Sequence, residues 1–410
     1  MKIKFLLVCL YCFFTLNIAG GSGWLPYERE LLKSYNPSIT DPYILSIKSQ
    51  ISKVKYKLPI KKNNKIRKHF ISTSHFKAGK IPYLLGEEKG DKQRRPLLVF
   101  IPGSFSKLFS TITKNFHKRF IRLGYKVISF ENFLCDCLIS RGPEFSFFDA
   151  RAQGRAYYEA IKNIHSDLYQ KGKVSDEVIL FGQSYGGFLG SVIYALDSKK
   201  DKPLFNKGLH VYSPPFDFTR AFEKLDNLLY EAQKDKTFGN IPSYLLTAFQ
   251  IKNIDKEAEI TERLREKSLG VFADYGFKSY LKKMLIAYHE DVNRLEIPET
   301  LSRKKEFYEK LTFQKAFSLI DLEGLKNFRS SQERKLSYWI FQAIKNGQDD
   351  IRILSAEDDV INDSIDSKLI ETPYLMVLPT GGHFGYKRLL WFDKLLIKVY
   401  GKEKRVAQFL

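Results

Sequence analysis

Ser184 lies in Gly182-Gln183-Ser184-Tyr185-Gly186, a G-x-S-x-G. A serine hydroxyl is a weak nucleophile at neutral pH and needs a base to take its proton, with a third group to orient that base. The glycines suit this chemistry for a steric reason. A strand turning directly into a helix strains the backbone at the apex and crowds the residues two before and two after it, so those positions must lack a Cβ. The apex side chain is then left standing above the sheet. Tyr185 would open the helix with an N–H aimed at a developing oxyanion.

The flanking sequence fits such a turn. Val178–Phe181 is a short unbroken apolar run, as expected of a strand buried on both faces. Gly187–Leu196 is small and apolar, as expected of a buried helix. Around this unit, residues 70–76 and 81–85 read as a hairpin across Ala78-Gly79-Lys80. Pro96–Ile101, Tyr125–Phe130, Gly208–Tyr212, Ile351–Leu354 and Tyr374–Leu378 read as further strands. Leu108–Leu123, ended by Gly124, with Asp149–His165 and Arg388–Tyr400, read as helices. A hairpin followed by alternating strands and helices predicts an α/β fold, a mostly parallel sheet with helices on both faces. From 221 to 345 the strand rhythm stops and helical periodicity takes over. The expected organisation is a signal peptide over 1–21, an N-terminal extension over 22–66, core over 67–220 and 346–410, and a helical cap insertion over 221–345. The extension, helical at Tyr27–Ser34, shows no chemistry of its own.

Chain order selects the base. In a doubly wound fold the nucleophile is followed by the acid and then the histidine, each placed after a strand. Of the seven histidines, His69, His75, His117 and His165 precede Ser184. His210 lies inside an apolar strand and His289 inside the helical insertion. His383 alone follows a late strand, in Gly381-Gly382-His383-Phe384-Gly385. The strand before it leads into Ala356-Glu357-Asp358-Asp359, where both Asp358 and Asp359 qualify by position.

Taken together, Gly182–Gly187, Ser213–Asp217, Ala356–Asp359 and Gly381–Gly385 resemble the motifs G-x-S-x-G-G, S-P-P-x-D, A-x-D-D and G-G-H-x-G of bacterial and plant esterase-like members of the α/β-hydrolase superfamily. The resemblance covers roughly residues 70–220 and 346–400. It implies a Ser184–Asp359–His383 triad, the Val-Ile pair after Asp359 selecting it over Asp358. It also implies hydrolysis of carboxylic esters or other acyl compounds without metal or cofactor. An oxyanion hole would be formed by the amides of Ser104 and Tyr185. The family usually carries His-Gly after the third strand where this chain has Pro102-Gly103, and an Arg-Gly-rich loop where it has Glu131-Asn132-Phe133-Leu134-Cys135. The same triad would serve a prolyl- or aminopeptidase-type enzyme, and a hydrolase fold can also be a non-catalytic binding protein. A peptidase would want an acidic patch for a free amino terminus, but the carboxylates of the insertion are interleaved with Lys and Arg.

The substrate expected is therefore a small acyl ester or a lipid-like one. The formal charge of +21 allows peripheral contact with an anionic membrane. It is equally that of a Lys-rich solvated surface, the plainer reading. The densest basic run, Lys61–Lys68, lacks the aromatic interleaving and fold context of a nucleic-acid site. Met1-Lys2-Ile3-Lys4, the apolar Phe5–Ala19 and the small residues after it form a signal-peptide pattern. The expectation is export to the periplasm or medium, an uncleaved N-terminal anchor being the competing reading. Cys135 and Cys137 read either as a small-ring disulfide or as two buried thiols, with no catalytic role. Oligomeric state is not legible.

Overall fold

The computed structural model describes residues 23–51, 64–104, 106–234, 241–273, 281, 283–287 and 311–401. The expected signal segment, His289 and the start of the basic run at Lys61 lie outside the described residues. Eight strands form one sheet: β1 (Asn64–Ser72), β2 (Lys80–Glu88), β3 (Arg95–Ile101), β4 (Lys126–Phe130), β5 (Val174–Gln183), β6 (Leu209–Tyr212), β7 (Ile351–Ala356) and β8 (Leu375–Leu378). Their spatial order is β1-β2-β4-β3-β5-β6-β7-β8. β2 runs antiparallel to both its neighbours, and all pairings from β4 to β8 are parallel. This is the mostly parallel sheet that the strand–helix alternation predicts.

Period-two alternation divides the central strands between two cores. Leu97, Val99 and Ile101 of β3 join Val178 and Leu180 of β5 on one face. Leu98 and Phe100 join Ile179 and Phe181 on the other. Both sets are buried because both faces carry helices, which is why these strands read as unbroken apolar runs.

The N-terminal segment begins with a helical turn at Pro26–Ser34 and continues into α1 (Pro42–Ile51). Then come α2 (Thr111–Arg122), α3 (Ala150–Gln170) and α4 (Tyr185–Asp197). Between β6 and β7 the chain supplies α5 (Phe218–Lys234), α6 (Ile241–Asn253), α7 (Glu262–Gly270), α8 (Phe313–Ser330) and α9 (Leu336–Lys345). The closing helix is α10 (Leu390–Tyr400). α3 and α4 cover the first core through Tyr157, Ile161, Phe188 and Val192. α2 and α10 cover the second through Phe116, Phe120, Leu395 and Leu396.

Several boundaries differ from the sequence reading. The hairpin's first strand is Asn64–Ser72 rather than 70–76, β5 begins at Val174 and α3 runs on to Gln170. α2 starts at Thr111 because the Ser110 hydroxyl accepts from the Thr113 amide at 3.1 Å and caps it there. α1 was not legible from apolar spacing. It starts where Asp41 accepts from the Ile44 amide at 2.9 Å, with Pro42 at the first helical position. Among the described residues no helix is long and apolar enough to cross a membrane.

Candidate active site

Ser184 stands at the junction of β5 and α4 with φ 54° and ψ −130°. A non-glycine residue there carries strain of roughly 1–3 kcal/mol, tolerated where the surroundings over-determine the turn. Two close approaches do so. A Cβ on Gly182 would strike the Gly186 carbonyl, and a Cβ on Gly186 would strike the carbonyls of Ile101 and Pro102. The Ser184 amide is tied to the Tyr212 carbonyl at 3.0 Å, which anchors the turn to β6. Ser184 is half-buried while its neighbours in β5 and α4 are buried.

The other two groups reach Ser184 from the same sheet end. Asp359 follows β7, and His383 follows β8. His383 Nε2 lies 3.0 Å from Ser184 Oγ. His383 Nδ1 lies 3.0 and 3.2 Å from the two oxygens of Asp359. Asp359 is 1% exposed and His383 5%. Asp359 Oδ1 also accepts from the Ile361 amide at 3.2 Å, which fixes its rotamer. With Nδ1–H donating to the carboxylate, Nε2 is left as the acceptor for the serine proton.

Asp358 does something else. Its Oδ1 accepts from the Gly382 amide at 2.8 Å and its Oδ2 from the Thr380 hydroxyl at 2.6 Å. It therefore holds the loop that carries His383 and does not touch the imidazole. Burial pushes its carboxyl above the ordinary range, Thr380 and Gly382 pull it back, and the neighbouring Asp359 charge adds to the rise.

Of the two residues expected to supply oxyanion donors, Tyr185 opens α4 at the positive end of its backbone dipole. Ser104 follows Gly103, which lies so near that a Cβ there would stand 3.0 Å from Ser184 Cβ. The Pro102 carbonyl of this loop accepts from Asn132 Nδ2 at 3.0 Å, and Asn132 is fully buried. Asn132 thus fastens the loop where the family pattern has different residues, a role no sequence signal announced. Asp217 of the S-P-P-x-D stretch caps α5, accepting from Thr219 and Arg220 amides, and pairs with Arg334 at 2.9 Å.

The remaining described histidines have other partners. His210 is buried against the Tyr400 hydroxyl and near Arg352, and burial holds its imidazole well below the usual range. His117 bonds Ser129 Oγ at 2.8 Å and is lowered to about 3 by burial. His75 meets Glu159 at 2.9 Å, His165 the Ser175 carbonyl at 3.3 Å, and His69 stacks on the Tyr83 ring with centroids 5.4 Å apart. Glu131, Cys135 and Cys137 bring potential metal-ligand atoms within 4.8 Å of one another. The two sulfurs are bonded to each other, which removes the thiolates a metal would take.

The mostly parallel sheet flanked by helices is consistent with an α/β-hydrolase architecture. No protein-family model matches the sequence, and no curated protein does. Solved structures that it resembles include brefeldin A esterase, a bacterial homologue of human hormone-sensitive lipase, at 12% identity. That match covers 94% of this chain and 92% of that one with a TM-score of 0.40. A second is an esterase of the fungus Rhizomucor miehei, at 12% identity, 92% of this chain, 100% of that one and a TM-score of 0.46. A third is the acylaminoacyl peptidase of Pyrococcus horikoshii, at 12% identity and a TM-score of 0.41. It matches 85% of this chain but only 41% of the peptidase. At these values the likenesses decide nothing about activity. The arrangement of Ser184, His383 and Asp359 itself supports a serine-hydrolase type of mechanism.

Proposed function

We propose that the protein hydrolyses carboxylic esters through an acyl-enzyme on Ser184. The observation that carries this is the continuous path from Ser184 Oγ through His383 to Asp359 at 3.0 Å per step. His383 takes the serine proton as Oγ adds to the acyl carbon, then returns it to the leaving alcohol. Asp359 orients the ring and stabilises the imidazolium. Water, activated by the same nitrogen, releases the acid. The amides of Ser104 and Tyr185 take the tetrahedral oxyanion. Such donors are worth about 3–4 kcal/mol each in the transition state.

The helical block between β6 and β7 is assigned the role of a cap that limits water and shapes the acyl pocket. The interleaving of its carboxylates with Lys and Arg favours esters over substrates with a free amino terminus. Export is proposed from the N-terminal pattern, and the Cys135–Cys137 disulfide is in keeping with an oxidising compartment.

The test is labelling by a fluorophosphonate together with hydrolysis of p-nitrophenyl esters of graded chain length, set against amino-acid anilides. Ser184→Ala should abolish labelling and lower turnover by roughly 10⁴–10⁶ with the fold intact. Retained turnover would remove the mechanism, and faster cleavage of the anilides would move the substrate class to peptides.

A further inference from the structure

The loop that carries His383 is held from outside the sheet by the N-terminal segment. The His383 amide donates to Ser46 Oγ at 2.7 Å, across 337 residues of chain. Ser46 is fully buried in the middle of α1. Its own hydroxyl donates to the Pro42 carbonyl at 2.5 Å. That bond uses up the hydroxyl proton and leaves an oxygen lone pair directed at the His383 amide. Around it the fit is tight. Gly382 has φ 52°, and a Cβ there would strike the Pro42 carbonyl and stand 2.7 Å from Ser46 Oγ. A Cβ on Gly385 would stand 2.5 Å from Leu45 Cβ. Tyr35 donates to the Thr380 carbonyl at 2.6 Å, and the Thr380 hydroxyl lies 3.1 Å from the Thr40 carbonyl.

The segment is itself fastened on its far side to the helical block. The Glu257 amide donates to the Ser38 carbonyl at 2.9 Å, and the Thr40 amide donates to Glu257 Oε2 at 2.7 Å. Lys48 faces Asp255 at 3.6 Å. α1 thus stands between α6–α7 and the histidine loop as a strut.

We propose that Ser46 is a positioning residue for the hydrolysis, setting the backbone of His383 so that Nε2 points at Ser184 while Nδ1 points at Asp359. The proposal rests on the serine-hydrolase reading above. Ser46 touches neither substrate nor imidazole. It acts through the peptide that carries the ring, where a misplacement of about 1 Å can cost about a hundredfold.

The experiment uses the full chain and the p-nitrophenyl ester that it turns over best. Ser46→Ala should lower kcat by about ten- to hundredfold with KM within about twofold, since ground-state binding is untouched. Ser34→Ala, in the same segment but with an exposed hydroxyl that bonds the Leu31 carbonyl, should leave both unchanged. The decisive comparison repeats Ser46→Ala in an Asp359→Asn background. If Ser46 works through His383, the second change then costs less than about twofold, because residues acting as one unit are not additive. Wild-type kcat in Ser46→Ala, a rise in KM at unchanged kcat, or an equal loss in both backgrounds would each overturn the proposal. Undiminished turnover by Ser184→Ala, assayed alongside, would instead strike the hydrolase reading.

Discussion

The turn that presents Ser184 and the loop that presents His383 solve the same problem by opposite means. The turn is spelled out mainly by consecutive residues. Gly182 and Gly186 stand two residues either side of the apex; a Cβ on Gly182 would meet the Gly186 carbonyl of the same elbow, and one on Gly186 the Ile101 and Pro102 carbonyls at the end of neighbouring β3. The loop Thr380–Gly385 contains glycines too, but its shape comes from elsewhere. Asp358 holds it from beneath, and Tyr35 and Ser46 hold it from a segment more than 330 residues away. A nucleophile's elbow is readable in a pentapeptide because its sterics demand missing side chains at fixed offsets from the apex, even where the crowding carbonyls belong to a neighbouring strand. A base that must face two partners at once needs positional information that no short stretch contains.

The two adjacent aspartates give the largest contrast. Asp359→Asn should lower kcat by about 10⁴, through loss of the correct tautomer and of imidazolium stabilisation. Asp358→Asn keeps an acceptor for the Gly382 amide and should cost about tenfold, by loosening the loop alone. Steady-state ester hydrolysis separates them. Comparable losses would mean that the two carboxylates share the imidazole in solution, and the distinction between acid and loop clamp would fail.

Next in size are the two glycines. Gly186→Ala forces a methyl into the carbonyls of Ile101 and Pro102, backbone against backbone. It should cost about 3 kcal/mol of stability, read from the urea midpoint. Gly382→Ala combines φ 52° with a collision at the Pro42 carbonyl on α1. The left-handed conformation alone costs roughly 1–2 kcal/mol, and α1 can give way where β3 cannot. Here kcat should fall further than the folded fraction explains, because the strut shifts with the loop. A loss of activity matching the loss of folded protein would show that the loop tolerates movement of α1.

These contrasts also explain what the sequence could and could not announce. Ser184 and its elbow were legible because an apolar strand, two glycines and an apolar helix are consecutive. His383 was reached by chain order and elimination, which needs no contact information. The sheet followed from unbroken apolar runs such as Leu97–Ile101, which record burial on both faces. The choice between Asp358 and Asp359 was not legible from position, since successive residues after a strand differ only in where the backbone turns them. It was made by resemblance; Asp359 lies 3.0 Å from His383 Nδ1, while Asp358 bonds Thr380 and Gly382. Asn132 and Ser46 were silent because a buried polar residue carries its meaning in its partner, and their partners are distant in sequence. One signal for α1 was present in Asp41-Pro42, a cap followed by a first-turn proline. The apolar spacing after it, broken by Ser46, Lys48 and Ser49, concealed the rest.

The smallest expected effect concerns how costly the clamp is. Burial raises the Asp358 carboxyl above its ordinary value of 3.8, and the hydrogen bonds from Thr380 and Gly382 oppose the rise without cancelling it. A carboxyl raised in the folded chain binds its proton more readily there than in the unfolded chain. Folding is therefore favoured most below pH 3.8, and that advantage is lost as pH climbs from there through the raised folded value, beyond which it stays level. Asp358→Asn has no proton to lose. The melting temperature of the wild type minus that of the variant should accordingly be larger at pH 4 than at pH 7. A difference that instead grows with pH would mean that the bonds to Gly382 and Thr380 outweigh burial. The histidine loop would then be held by a charge the fold welcomes, and in energetic terms it would stand closer to the strained but well-buttressed turn at Ser184 than the distances alone suggest.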